Sequence, residues 1–183
     1  MANQENIMTT ERKIFGGIIL LTLFIIVGGT WLSNKQGIEN KEKLSKPLMG
    51  EKMADEGAVH IARNETHSAY KSNPPTSGPH WVGVARPGIK TEPVPDELVL
   101  HSMEHGATVV WYREGLEQTE VDKIREAFNN SSGKKIMLAR KDLDVPVALT
   151  SWGYLLKLEN IDQAKIKEFF ETNNDRAPEK API

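Results

Sequence analysis

The apolar positions of this chain form one unbroken run near the start and several short periodic stretches further on. Residues 14–32, IFGGIILLTLFIIVGGTWL, carry no charge and are apolar all round. At about 1.5 Å per residue the run spans roughly 28 Å, close to the hydrocarbon thickness of a bilayer. A buried core helix would be amphipathic, so the run predicts one transmembrane helix. It is long for the apolar part of a cleaved leader, and Val27-Gly28-Gly29 matches a cleavage site poorly. The expected element is therefore an uncleaved signal-anchor.

The later stretches are shorter. Ala107–Tyr112 is rich in β-branched and aromatic residues and predicts a strand. Val121, Ile124 and Phe128 share one face behind a capping-box pattern at Thr119–Asp122, which predicts a helix over 120–129. Lys135–Ala139 and Val145–Trp152 read as strands, with Tyr154–Leu158 extending or pairing the second. Asp162 is placed to cap a helix reaching Asn173, with Ile161 and Ile166 as a staple and Ile166, Phe169 and Phe170 buried. Trp111, Tyr112, Trp152 and Tyr154 are expected to pack the sheet.

Upstream the pattern is irregular. Gly57–Ile61 suggests a short strand, residues 71–95 are rich in proline and glycine, and His101–Gly106 suggests a single helical turn ended by Gly106. The order of elements gives an α+β fold. It has a small sheet, two flanking helices and a long irregular His/Pro-rich lobe, preceded by one transmembrane helix. So large an irregular lobe points to a function or to metal stabilisation. The chain divides into an N-terminal tail (1–13), the anchor (14–32), a charged stalk (33–56), a globular domain (57–173) and a flexible tail (174–183). A short helix is the alternative for the stalk, whose Lys and acidic residues are interspersed.

Composition narrows the chemistry. The 183 residues carry a net charge of −2, which argues against a nucleic-acid binder. Cysteine is absent, which removes disulfides, thiolate nucleophiles, iron–sulfur clusters and Cys-type zinc sites. Arg12 and Lys13 precede the anchor, and Lys35, Lys41, Lys43 and Lys46 follow it. That count would leave the C-terminal side in the cytoplasm, but long domains translocate largely regardless of charge, so charge leaves the side open.

All five histidines, His60, His67, His80, His101 and His105, fall in the irregular half. In His101-Ser-Met-Glu-His105 the two imidazoles lie at i and i+4 and face one way on a helix. They can hold one metal ion at about 2.0–2.1 Å. Glu104 lies on the same side and can ligate, orient a histidine or serve as base for a bound water. An ordinary helix-surface pair is the plain alternative. The spacing also fits the H-x-x-E-H zinc-peptidase motif, but Gly106 and a strand follow at once where that motif needs a sustained helix. Met103 reads as core rather than as a copper ligand.

Pro74, Pro75, Thr76, Ser77, Gly78 and Pro79 form a stiff loop that presents His80 in a fixed place. The alternative is a rigid turn capped by Trp81. Ser77 lacks a nucleophile elbow. Asn73-Pro74, Pro74-Pro75 and Gly78-Pro79 are candidates for a cis bond. His60, structural if alone, becomes a fourth ligand beside His80, His101 and His105. His67 sits in a polar loop and is expected to be solvated.

Several motifs occur in a fixed order. They are G-x-x-H ending at His60, then Tyr70, PPTSGPH ending at His80, and HSMEHG-x-x-V-x-x-Y from His101 to Tyr112. LTSWG, a D-x-x-x-I-x-x-F helix from Asp162 and the APE of residues 177–179 follow. Together they resemble the bacterial domain-of-unknown-function family 3105 over about residues 57–179. His60, His80, His101, Glu104 and His105 fall in its motifs and His67 does not. The family typically has Leu at Met103 and Ala at Ser151. The resemblance implies a single-pass bacterial membrane protein with its C-terminal domain outside the cytoplasm, and no established activity.

The expected function is that of a membrane-anchored extracytoplasmic domain binding copper or zinc through His60, His80, His101 and His105, with Glu104 beside them. No organic cofactor and no nucleic-acid partner is indicated. A metal-free envelope interaction module is the first alternative. A metal-dependent hydrolase with Glu104 as catalytic base is the second.

Overall fold

The computed structural model describes the backbone of residues 2–179 and 181–183, and the side chains within that range except at 2–11, 14, 39 and 40. The chain forms two units, one up to Lys46 and one from Pro47 onward. The first is a single helix, α1, over Ala2–Ser45. From Phe15 it is long and apolar enough to cross a membrane. Phe15, Leu20, Phe24 and Val27 are all exposed, as they would be if lipid were their solvent. The helix runs on past Leu32 through the charged segment, because interspersed Lys and Glu are good helix formers.

The second unit is built on a mixed six-stranded sheet. Its strands are β1 (Glu51–Lys52), β4 (Gly88–Ile89), β5 (Thr108–Arg113), β6 (Lys135–Arg140), β7 (Val147–Ser151) and β8 (Tyr154–Leu158). Their order across the sheet is β1-β8-β7-β5-β6-β4. β5 and β6 are parallel and joined through helix α3 (Gln118–Asn129), because parallel neighbours need a crossover. β7 and β8 form an antiparallel hairpin, so the Tyr154 segment pairs with the strand before it. β2 (His60–Ile61) and β3 (His80–Trp81) form a separate parallel pair.

Both faces of the sheet are covered, which is why the successive residues Val109, Val110 and Trp111 of β5 are all apolar and buried. Val110, Met137 and Leu149 face Ile124 and Phe128 of α3 and Ile166, Phe169 and Phe170 of helix α4 (Gln163–Asn173). Val109, Trp111 and Leu138 face Val99, Leu100 and Met103 of helix α2 (Asp96–Glu104). The indole of Trp111 donates to Thr150 Oγ1 at 2.8 Å, so the ring's polar edge is satisfied inside the core. Tyr112, Trp152 and Tyr154 are partly buried against the same body.

The α+β class and the flanking helices α3 and α4 are as the sequence pattern implies, with four differences of detail. The compact unit takes in residues 47–56. Met49 exchanges hydrogen bonds with the Asn173 amide (both 2.9 Å), and β1 pairs with the edge strand β8. Backbone pairing of polar residues leaves no apolar pattern to read. Helix α2 begins at Asp96 and runs well beyond the single expected turn. Thr119 lies inside the first turn of α3, whose N-cap is Glu117 with no side-chain cap. Asp162, in contrast, caps α4 through Lys165 N–H at 3.0 Å. The tail is also tied down. Asp175 N–H donates to the Gly106 carbonyl at 2.8 Å, and the Lys134 ammonium reaches Ala181 O at 2.8 Å and Asp175 Oδ1 at 3.1 Å.

Candidate metal centre

Three elements meet at one point on the α2 side of the sheet. The β2–β3 register sets His60 opposite His80, with ring centroids 4.8 Å apart. Helix α2 brings His101 to 4.8 Å from His60 and 5.3 Å from His80. Glu104, in the last turn of α2, points Oε2 at both: 3.0 Å from His80 Nε2 and 3.3 Å from His60 Nε2.

The proline loop fixes His80. The Asn73–Pro74 bond is cis, one of the three candidates in the sequence. Pro74, Pro75, Thr76, Ser77 and Gly78 are buried, and Pro79 partly so. Gly78 takes φ +126, and a Cβ there would lie 2.9 Å from the Tyr70 ring. Tyr70 OH donates to the Pro79 carbonyl at 2.7 Å, clamping the loop beside the histidine. Ser77 Oγ accepts from Glu56 N–H at 3.0 Å, a structural bond to the segment before β2. Arg140 on β6 grips Asp96 through two bonds, at 2.7 and 3.0 Å, and so sets the start of α2.

The backbone selects the imidazole tautomers. His80 Nδ1 donates to the Gly78 carbonyl at 2.7 Å, and His101 Nδ1 to the Gly83 carbonyl at 3.1 Å. A carbonyl only accepts, so Nδ1 carries the proton in each ring and Nε2 is left to bind. This is how metal-binding histidines are ordinarily held. Burial holds the His101 pKa below its usual value, against the Gly83 bond and with His105, His80 and His60 adding to the effect. Glu104 is a carboxylate 4% exposed at the C-terminal end of a helix, where the dipole disfavours an anion. With Nδ1 as donor, His80 presents a lone pair to that carboxylate. Two acceptors 3.0 Å apart need a cation between them, either a proton or a metal ion.

The ligand atoms of His60, His80, His101 and Glu104 all lie within 4.8 Å of one another. Tetrahedral bonds of about 2.0–2.1 Å set ligand atoms roughly 3.3 Å apart. The two contacts to Glu104 already have that spacing, and the widest separation in the set exceeds it. Three imidazoles and one carboxylate suit zinc or copper. His60 is the half-exposed member and forms the open side.

His105 does not join these four. Its ring lies against that of His101, with centroids 4.4 Å apart, but its nitrogens turn to the C-terminal tail. Nδ1 meets Pro182 O at 3.2 Å and Nε2 meets Glu179 Oε2 at 3.0 Å. α2 stops at Glu104, His105 is its C-cap, and Gly106 turns away at φ +91. The same stop removes the long helix that a zinc-peptidase motif requires. Met103 is core. His67 sits apart, bonded to Ser68 O at 2.8 Å and Glu97 Oε1 at 3.2 Å, so it is paired rather than solvated. Pattern reading missed Trp152, whose ring edges onto His80 at 5.8 Å, and Glu179, which lies in the APE motif.

Residues 60–182, more than half of the chain, match a family model described as "Protein of unknown function (DUF3105)". No curated protein and no solved structure matches the chain. The matched range takes in all four clustered residues, together with His105 and Glu179, and leaves out α1.

Proposed function

The chain belongs to domain-of-unknown-function family 3105, and on that premise we propose that its folded unit binds one copper or zinc ion and is tethered to a membrane by α1. The ligands are His60, His80 and His101, each through a ring nitrogen, and the Glu104 carboxylate. The observation that carries this reading is the convergence of two buried imidazoles, each held in the Nδ1–H tautomer by a backbone carbonyl, on one buried carboxylate. At equal availability the affinity order favours Cu(II) over Zn(II).

The ion's role is metal handling, or the organisation of a lobe whose strands β2 and β3 are only two residues each. In the second case binding energy becomes folding energy. Glu104 serves as a ligand here. A hydrolytic base would need its carboxylate free for a water, whereas Oε2 faces two imidazoles. The placement of the domain outside the cytoplasm rests on the family resemblance. A metal-free interaction module is the competing reading, favoured by the exposed Val59 and Val82 beside the histidine strands.

The test uses the full chain in detergent, exposed to equimolar copper and zinc, dialysed, and analysed for metal per chain by mass spectrometry. Retained metal that is lost in His80→Ala/His101→Ala supports the site. A folded protein that retains none removes it and leaves the interaction module.

A further inference from the structure

Beyond the four-residue cluster, Glu104 belongs to a second group. The ligand atoms of Glu104, His105 and Glu179 also lie within 4.8 Å of one another. His105 repeats the arrangement seen at His80. Nδ1 faces a backbone carbonyl, that of Pro182 at 3.2 Å, and Nε2 is directed at a carboxylate, Glu179 Oε2, at 3.0 Å. A lone pair again confronts an anionic oxygen.

The tail that supplies Glu179 is held in place around this group. Glu179 N–H donates to the Glu104 carbonyl at 3.2 Å, and Asp175 N–H to the Gly106 carbonyl at 2.8 Å. Lys134 bridges the His105 carbonyl and the Ala181 carbonyl, both at 2.8 Å. Residues 104–106 are thus tied to Asp175 and Glu179, and through Lys134 to Ala181, on both sides of the group. This rigidity lowers the ordering cost of binding there.

The geometry points to a second cation subsite formed by Glu104, His105 and Glu179, with the Glu104 carboxylate shared between the two ions. It rests on the single-ion reading to the extent that Glu104 is common to both. A bridging carboxylate holds two ions at the short spacing typical of two-metal centres, about 3.5–4 Å. The donors differ in kind. One imidazole and two carboxylates make a harder set than three imidazoles and one carboxylate, so the second subsite admits Mn(II) beside Zn(II). Its ligand Glu179 is exposed and comes from the tail, so the second ion is the more readily exchanged of the two.

The full chain in detergent is loaded with Zn(II), and in a parallel arm with Mn(II). It is then dialysed, its metal is counted by mass spectrometry, and its affinity is measured by titration calorimetry. Four proteins are compared: unaltered, His105→Asn/Glu179→Gln, His60→Ala/His101→Ala and Glu104→Gln. Circular dichroism confirms that each is folded. His105 and Glu179 lie toward the surface, so their variant tests the subsite without opening the core. The expected zinc result is two ions in the unaltered chain and one in each double variant. The weaker step should be lost, or weakened at least 100-fold, in His105→Asn/Glu179→Gln, and both steps weakened in Glu104→Gln. One ion, held equally well by the unaltered chain and by His105→Asn/Glu179→Gln, overturns the second subsite and leaves the first. One ion lost in that variant but kept in His60→Ala/His101→Ala overturns the first reading and keeps the second. No ion in the unaltered chain overturns both.

Discussion

Nε2 of His80 lies 3.0 Å from Oε2 of Glu104, and both side chains are closed off from solvent. The pair ties β3 to the last turn of α2. It sets the lone pair of one buried group against the charge of another, and every reading of this site starts from how that contact is resolved. A proton would make it an ion pair without further ligands. A metal ion would draw in His60 and His101.

Glu104→Gln distinguishes the two. It keeps the shape of the side chain and removes its charge. If Glu104 is a ligand, Zn(II) affinity falls by about 100-fold or more, since losing even a residue that only orients a ligand costs about 10–100-fold. Titration calorimetry of the full chain gives the ratio, and an unchanged affinity would place the metal elsewhere.

Metal should also stabilise the fold. Free zinc at a hundred times its dissociation constant adds about 2.7 kcal/mol by mass action. For a domain of this size that raises Tm by roughly 8 °C, and a chelator reverses it. A thermal melt followed by circular dichroism reads the shift. The gain should vanish in His101→Ala.

Gly78→Ala tests the loop. The residue adopts φ +126, and its Cβ would meet Tyr70 ring atoms at 2.9 and 3.0 Å. The expected loss is about 1–3 kcal/mol from backbone strain, with the ring displaced as well. Because His80 lies two residues on, metal affinity should fall with stability, whereas Tyr70→Phe, which removes one hydrogen bond, should lose about 1 kcal/mol. Urea unfolding with and without zinc separates the two effects.

His67 gives a pH signature away from the cluster. Its pKa is raised above 6.5, first by the bond to Ser68 O and then, against burial, by Glu97. A raised histidine pKa stabilises the folded state fully below pH 6.5, and the contribution is lost as pH rises through the folded value. Stability in the presence of chelator should therefore fall by about 0.5 kcal/mol from this pair as pH rises from about 6 to 8. His67→Gln should flatten that part of the profile, measured as urea midpoints. An identical slope in the variant would remove the pair from the account.

Asn173 tests where the folded unit begins. It is 2% exposed and bonds both Met49 backbone groups and Ser151 Oγ. Asn173→Ala should cost about 2–3 kcal/mol by leaving buried groups unpaired. A chain begun at residue 57 should be less stable than one begun at 47 by a comparable amount, because it lacks Met49 and β1. Equal urea midpoints for the two chains would count against that role.

Where burial is periodic, the sequence by itself determined the result. Val121, Ile124 and Phe128 mark the buried face of α3, Asp162 caps α4, and β5 with its buried Val109, Val110 and Trp111 lies at the centre of the sheet. These are local properties of spacing and side-chain type. The unbroken run from Phe15 likewise required no tertiary information to read as long and apolar enough to cross a membrane. The sequence also gathered His60, His80, His101 and His105 as ligands with Glu104 beside them, since those residue types stand out in a half of the chain with little pattern.

Only the tertiary structure decided which of them converge. The i, i+4 spacing does set the rings of His101 and His105 together, with His105 N–H on the His101 carbonyl at 3.1 Å and centroids 4.4 Å apart, but it does not fix where the His105 nitrogens point. The tail takes the nitrogens of His105, through Pro182 O and Glu179, and Glu104 meets His60 and His80. The tail and residues 47–56 join the fold by backbone hydrogen bonds and by the amide of Asn173. Backbone bonds are available to nearly any residue, and a single Asn forms no pattern, so neither leaves a mark in the order of residues.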